Sequence, residues 1–176
     1  SDSNFLGGSG AAFDASSTDV AVAPDGNVVL ALDESTSNIL WASGEYTASS
    51  EWNSGYRAEL AFDNNFNTYW ASARNAGSAW LNVHWPEART IGGCRIYWRT
   101  NGSSKDFKIQ ALVNGSYEDL LTSTVTSGSV SYFLEGIETT DLRVYSDTIT
   151  GQDIEIQEFQ VFGLQHRRKN IAAEAN

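Results

Sequence analysis

The chain has 176 residues, 41% hydrophobic and 12% aromatic, which is enough apolar material for one domain with a real core and too much for a disordered segment. Twenty-two acids against eleven bases leave a net charge of −11, which repels a phosphate backbone and excludes nucleic acid as a partner. No run reaches the roughly 18 apolar residues of a membrane-crossing helix, so no membrane insertion is expected.

Ser1-Asp2-Ser3-Asn4 has neither a basic nor an apolar region, so no signal peptide is visible in this chain. Residues 1–15 are rich in Gly and Ser and predict an arm, flexible or ordered by a partner. Residues 20–23 and 28–32 alternate around Pro24-Asp25-Gly26-Asn27 and predict a hairpin. Arm and hairpin together occupy residues 1–40. No stretch carries a sustained 3.6-residue period. Short alternating runs predict strands at 79–85, 93–99, 107–113, 129–134, 140–145 and 154–162. Their turn signals are Asn101-Gly102, Asn114-Gly115, Ser127-Gly128 and Gly151; the first two also match glycosylation sequons, but Asn-Gly between alternating strands reads as a turn. Cys94 is the only cysteine, which rules out an intrachain disulfide and reads as a small buried hydrophobe in a strand. Residues 164–176 form a basic tail with Arg167, Arg168 and Lys169 together, read as a solvated terminus or an anchor.

The informative segment runs Ala48-Ser49-Ser50-Glu51-Trp52, then Ala61-Phe62-Asp63-Asn64-Asn65-Phe66-Asn67-Thr68-Tyr69-Trp70, then Trp80-Leu81. Arg95-Ile96-Tyr97-Trp98-Arg99, Phe107-Lys108-Ile109-Gln110, Leu142-Arg143-Val144-Tyr145 and Glu158-Phe159-Gln160-Val161-Phe162-Gly163 follow in order. Over residues 41–163 this ordered set resembles the F5/8 type C (discoidin-like) family and is similar to family 32 carbohydrate-binding modules. The resemblance implies an all-β fold, a galactose-binding-domain-like jelly-roll β-sandwich. Asn64 stands where the family usually has Gly; Asn tolerates the left-handed conformation better than most residues, so the turn survives. His84 replaces a usual Asp, and Asn65 an acid.

Asp63, Asn65 and Asn67 alternate oxygen-bearing side chains, and Thr68 adds a hydroxyl, a composition suited to a hard cation such as Ca²⁺. An EF-hand loop is excluded, because Thr68 and Arg74 stand where Gly and Glu are needed. By the resemblance, a structural Ca²⁺ is held by the Leu60 carbonyl, Asp63, Asn65, Thr68, the Gln157 carbonyl and Glu158. The alternative is that Asp63 and Thr68 only cap a turn by hydrogen bonding.

A sugar site needs a flat apolar face for the ring and planar donors for its hydroxyls. The resemblance places these on loops at one end of the sandwich, where the candidates are Trp52, Arg57, Arg74, Asn75, Arg99 and Asn101. Trp52, among polar loop residues, is the expected stacking surface. Most of Trp70, Trp80, Trp85 and Trp98 belong to the core, since they alternate within strands, and His84 is read as structural.

An enzyme is disfavoured: no Gly-x-Ser-x-Gly elbow, His-Glu-x-x-His or phosphate loop occurs, and the binding-module pattern uses the whole chain. Phospholipid binding needs apolar spikes in basic surroundings, the opposite of this charge. The expectation is therefore a non-catalytic carbohydrate-binding module with glycans as partners, extracellular or on a particle surface. The rival is a structural or decoration protein of a larger assembly, such as a virus or phage particle, attached to other subunits through its arm and tail.

Overall fold

In residues 79–85 the odd positions Ala79, Leu81, Val83 and Trp85 are buried in the core, while Trp80 and His84 are half-buried and Asn82 is covered by its polar partners on the other face, so a strand with one face on a core accounts for the pattern. The computed structural model describes residues 12–13, 20–22, 28–33, 41–99 and 104–168, with the backbone path alone before residue 34 and beyond residue 163. Its strands are β1 (Ala12–Phe13), β2 (Val20–Val22), β3 (Val28–Asp33), β4 (Glu45–Ala48), β5 (Trp70–Ala71), β6 (Ala79–Trp98), β7 (Phe107–Val113), β8 (Ser116–Ser123), β9 (Ser129–Ser146) and β10 (Glu155–Arg168). Short 3-10 turns occur at Trp41–Ser43 and Ala58–Ala61. Among the described residues no helix is long and apolar enough to cross a membrane.

The strands pair antiparallel in the order β2-β3-β10-β6-β9-β7-β8, with β4 added to β6, β5 to β10 and β1 to β9. The fold is the all-β jelly-roll sandwich. Its construction depends on β6 and β9, which run for 20 and 18 residues and are shared by both layers. Up to His84, β6 pairs with β4 and with Asp141–Ser146 of β9; from Gly93 it pairs with β10 and with Ser129–Phe133. The register shifts between His84 and Arg89, around Pro86, which has no N–H to give to a ladder. Between the layers, Trp70, Trp85, Phe107, Ile109, Leu142, Ile156 and Phe159 are fully buried.

Sequence and structure agree on the turn Asn114-Gly115, whose φ values of 51° and 82° are the paired positive values of a tight hairpin. Asn64 takes φ 55°, the left-handed value expected of it. Cys94 is buried as expected, and burial pushes its thiol pKa up. The sequence did not announce β8, whose Glu118 and Asp119 are exposed on an edge strand. Nor did it show that 79–85 and 93–99, or 129–134 and 140–145, are halves of single bent strands. Within β9 the bend falls at Glu135 and Gly136, both with positive φ.

One boundary changes. The closing strand does not end near Gly163 but runs to Arg168, and residues 163–168 pair with β3. A ladder is made of backbone groups, so the polar run His166-Arg167-Arg168 does not end it. Ala12 and Phe13, inside the expected arm, pair with Tyr132 and Ser131. The expected turn at 24–27, Asn101 and residues 169–176 lie outside the described residues.

Candidate functional site

The 3-10 turn Ala58–Ala61 buries Ala58 and Ala61 and launches the loop that ends at β5. In that loop Asp63 organises the backbone. Its Oδ1 accepts the Asn65 N–H at 2.9 Å and its Oδ2 accepts the Thr68 hydroxyl at 2.5 Å. Asn65 Oδ1 accepts the Asn67 N–H at 3.0 Å, and the Thr68 hydroxyl also reaches the Asn65 carbonyl at 2.9 Å. Turn capping by Asp63 and Thr68 is therefore present.

Capping leaves Glu158 unexplained. Its side chain is fully buried on β10, and neither carboxylate oxygen has a well-formed hydrogen bond among the described residues. Burial raises its pKa to about 8, the approach of the Asp63 carboxyl adds to this, and the N–H groups of Asn65 and Asn64 oppose it. Two acids thus face each other beside amide and hydroxyl oxygens, the ligand types a hard cation takes, and a buried carboxylate without a partner is costly. Asp63 and Glu158 stand as a pair: no group of three or more His, Cys, Asp or Glu able to hold a metal ion exists among the described residues. Leu60 gives its N–H to the Arg57 carbonyl at 3.0 Å. Gln157 donates its side-chain amide to the Phe66 carbonyl at 3.1 Å, tying the loop to β10.

Beside the turn stands a ladder of rings and guanidinium groups. Arg74 Cζ lies 4.1 Å from the Trp52 ring, Trp52 stacks on Tyr56 at 4.6 Å, Tyr56 meets Tyr69 at 4.8 Å, and Arg99 Cζ lies 4.1 Å from the Tyr69 ring. Arg99 then pairs with Glu155 at 3.4 Å. Local bonds hold it: Glu51 accepts the Ala58 N–H at 2.6 Å, the Trp52 N–H reaches the Ala71 carbonyl at 2.9 Å, and the Ala71 N–H reaches Tyr56 at 3.3 Å. Asn75, at φ 59°, donates its N–H to the Gln152 carbonyl at 2.6 Å and so fixes the loop that carries Arg74. An open cavity of about 460 Å³ lies alongside, lined by Asn53, Gly55, Tyr56, Asn67, Thr68 and Tyr69. Burial and a hydrogen bond with Tyr56 push the Tyr69 pKa up to about 12, so its hydroxyl stays protonated and able to donate at neutral pH.

Of the residues expected to contact sugar, the fold brings Trp52, Arg74 and Arg99 into this ladder and sets Asn75 next to it. Arg57 is exposed and engaged by Glu59 at 3.1 Å, and it is not among the guanidinium groups that stack on the ladder's rings in the described residues. Trp52 is not the bare platform its polar neighbours implied, since Tyr56 and Arg74 already stack on it. Tyr56 and Tyr69 were missed. Tyr69 was legible by alternation, because the adjacent Trp70 is buried and Tyr69 must point the other way. Phe66, missed as well, is 42% exposed and meets Tyr97 edge-on at 4.7 Å. Trp70, Trp85 and Trp98 are core; Trp80 lies on the outer face, where His84 pairs with Asp141 at 2.9 Å.

The fold is shared with solved structures. Chitosan-binding module 1 of a chitosanase/glucanase from Paenibacillus sp. IK-5 is 24% identical, with TM-score 0.65 over 71% of this chain and 98% of that one. The family 32 module of C. perfringens NanJ, in complex with galactose, is 22% identical, with TM-score 0.61 over 73% and 98%. A Ruminococcus gnavus fucosidase in complex with fucose is 14% identical, with TM-score 0.66 over 74% of this chain and only 27% of its own length. No curated protein matches the sequence. The F5/8 type C domain model matches residues 45–158, which hold both the Asp63 turn and the aromatic ladder, and the chain belongs to that family.

Proposed function

We propose that this domain is a non-catalytic carbohydrate-binding module that recognises surface or environmental glycans at the loop end of the sandwich, with a structural Ca²⁺ beneath the site. The observation that carries the reading is the ladder from Arg74 to Arg99 beside the open cavity at Tyr56 and Tyr69. Tyr56 and Tyr69 line the cavity and give a pyranose apolar contact; Asn53, Asn67 and the two tyrosine hydroxyls offer donors and acceptors to its hydroxyls. The similar modules lend support, one being named chitosan-binding and the other described in complex with galactose. An open cavity buries little of a sugar and competes with water for every hydroxyl, so single-site affinity falls in the micromolar-to-millimolar range and gains from several copies.

The buried, unbonded Glu158 supports the cation. Asp63 and Glu158 supply charge, and Asn65, Thr68 and the carbonyls of Leu60 and Gln157 complete the set. A bound Ca²⁺ neutralises the two acids and ties the loop of residues 62–69 to β10. It takes part in no chemistry.

A glycan-array screen with and without chelator tests both parts: binding to a defined sugar, weakened by chelation, is expected. Binding to no sugar removes the module reading and moves the decoration-protein reading to the front, for which recovery of the chain in a purified particle is the check.

A further inference from the structure

The face of the sheet that looks away from the core carries a second constellation which the loop site does not use. Strand register places its residues in three rows. Thr47, Asn82, Arg143, Gln110 and Asp119 lie opposite one another across β4, β6, β9, β7 and β8. Trp80, Tyr145 and Lys108 form the row on one side, and Glu45, His84 and Asp141 the row on the other. At roughly 4.8 Å per strand the middle row spans about 19 Å, a length that several pyranose rings would cover.

The side chains are locked to each other. Arg143 donates Nε–H to Gln110 Oε1 at 2.7 Å, and Gln110 donates its amide to Asp119 at 2.7 Å. Asn82 donates to Asp141 at 3.0 Å and accepts the Tyr117 hydroxyl at 2.9 Å. The Arg143 guanidinium lies 3.6 Å from the Tyr117 ring centre, 5.3 Å from Tyr145 and 5.7 Å from Trp80. It is half-buried, yet only its Nε–H meets an acceptor among the described residues. Four Nη donors remain in a frame of three aromatic rings, and none is cut off from water, so a sugar hydroxyl can take the place of a water there. Charge is mixed: Arg143 and Lys108 stand among Asp119, Asp141 and Glu45, with Lys108 3.3 Å from Asp119, so no single sign covers the face to draw in a polyanion or a polycation.

We propose that this sheet face is a second carbohydrate-binding surface, for a neutral, extended oligosaccharide whose rings lie along Trp80, Tyr145 and Tyr117 and whose hydroxyls accept from the Arg143 guanidinium. It shares its ligand class with the loop site but none of its residues. Rigid aromatic faces and a guanidinium already positioned by Gln110 lose little freedom when a sugar arrives, which favours binding over a face of independent surface charges.

The test is a backbone amide NMR titration of the whole chain with cellotetraose, lactose and chitotriose, followed by Arg143→Gln, Arg143→Lys, Tyr145→Ala and the loop variant Tyr69→Ala. The expected result is two separate sets of shifts, one in residues 52–75 and one in 80–84, 108–119 and 141–145. Arg143→Gln and Tyr145→Ala should weaken the sheet-face response about tenfold or more and leave the loop response intact. Arg143→Lys keeps the charge and should lose the same response, because the planar fork is gone. Tyr69→Ala should do the reverse. Shifts confined to the loop overturn the sheet-face site and leave the loop site standing; shifts confined to the sheet do the opposite. An Arg143→Gln protein that binds as the parent does, or no shift anywhere with any of the three sugars, also overturns it.

Discussion

The carboxylate of Glu158, fully buried on β10, faces that of Asp63 on the loop before β5, and no well-formed hydrogen bond satisfies either Glu158 oxygen among the described residues. A carboxylate placed this way holds a proton or neighbours a cation. Chelation should therefore lower the melting temperature and Ca²⁺ restore it, by about 2.7 kcal/mol at a hundredfold excess over the dissociation constant. Asp63→Ala should make the melting curve indifferent to both. A parent protein indifferent to chelator takes the ion out of the account.

The same pair sets a pH dependence for the cation-free protein. The folded pKa of Glu158 is raised to about 8, above its ordinary carboxylate value of 4.5, so between these values the folded state holds a proton that the unfolded state has released. Stability should then fall as pH rises from about 5 to about 8 and flatten above that. Ca²⁺ should abolish the slope, since it replaces the proton, and Glu158→Gln should abolish it too. Denaturant titrations at several pH values, with and without chelator, decide this.

In the loop site the ladder ranks the variants. Tyr69→Ala and Arg99→Ala should each cost about 1–3 kcal/mol of sugar binding, a factor of roughly ten to a hundred, with an unchanged far-UV spectrum. Arg57→Ala removes only an exposed pair with Glu59 and should change affinity by less than about 1 kcal/mol. Calorimetric titration of the three proteins side by side checks the order; equal losses would place Arg57 in the site.

The extended closing strand predicts the effect of truncation. Ending the chain at Gly163 removes the ladder between residues 164–168 and β3, at about 0.5–1.5 kcal/mol per lost backbone bond. The unfolding midpoint should drop while the near-UV signal of the buried Trp70, Trp85 and Trp98 persists. An unchanged midpoint would show that this pairing contributes nothing.

The sequence by itself determined whatever depends on near neighbours. Alternation in 79–85 and 107–113 set which side chains are core, Asn114-Gly115 set a hairpin, and the spacing from Asp63 to Thr68 set the turn and its oxygens. It also identified the family, because an ordered set of short motifs survives without any contact being known. Tertiary structure decided what depends on partners distant in the chain. β6 and β9 bend through both layers because their ladders change partners, and no local pattern records a partner. Glu158 is a buried acid only because β10 passes under the Asp63 loop; in the sequence it is one acid among many. Trp52 looked exposed among Asn and Ser, yet Tyr56 and Arg74 fold onto it, since stacking is fixed by loop geometry and not by composition. Arg143, quoted for the family likeness alone, acquires its rings and its free donors only where four strands align Trp80, Tyr117 and Gln110 around it.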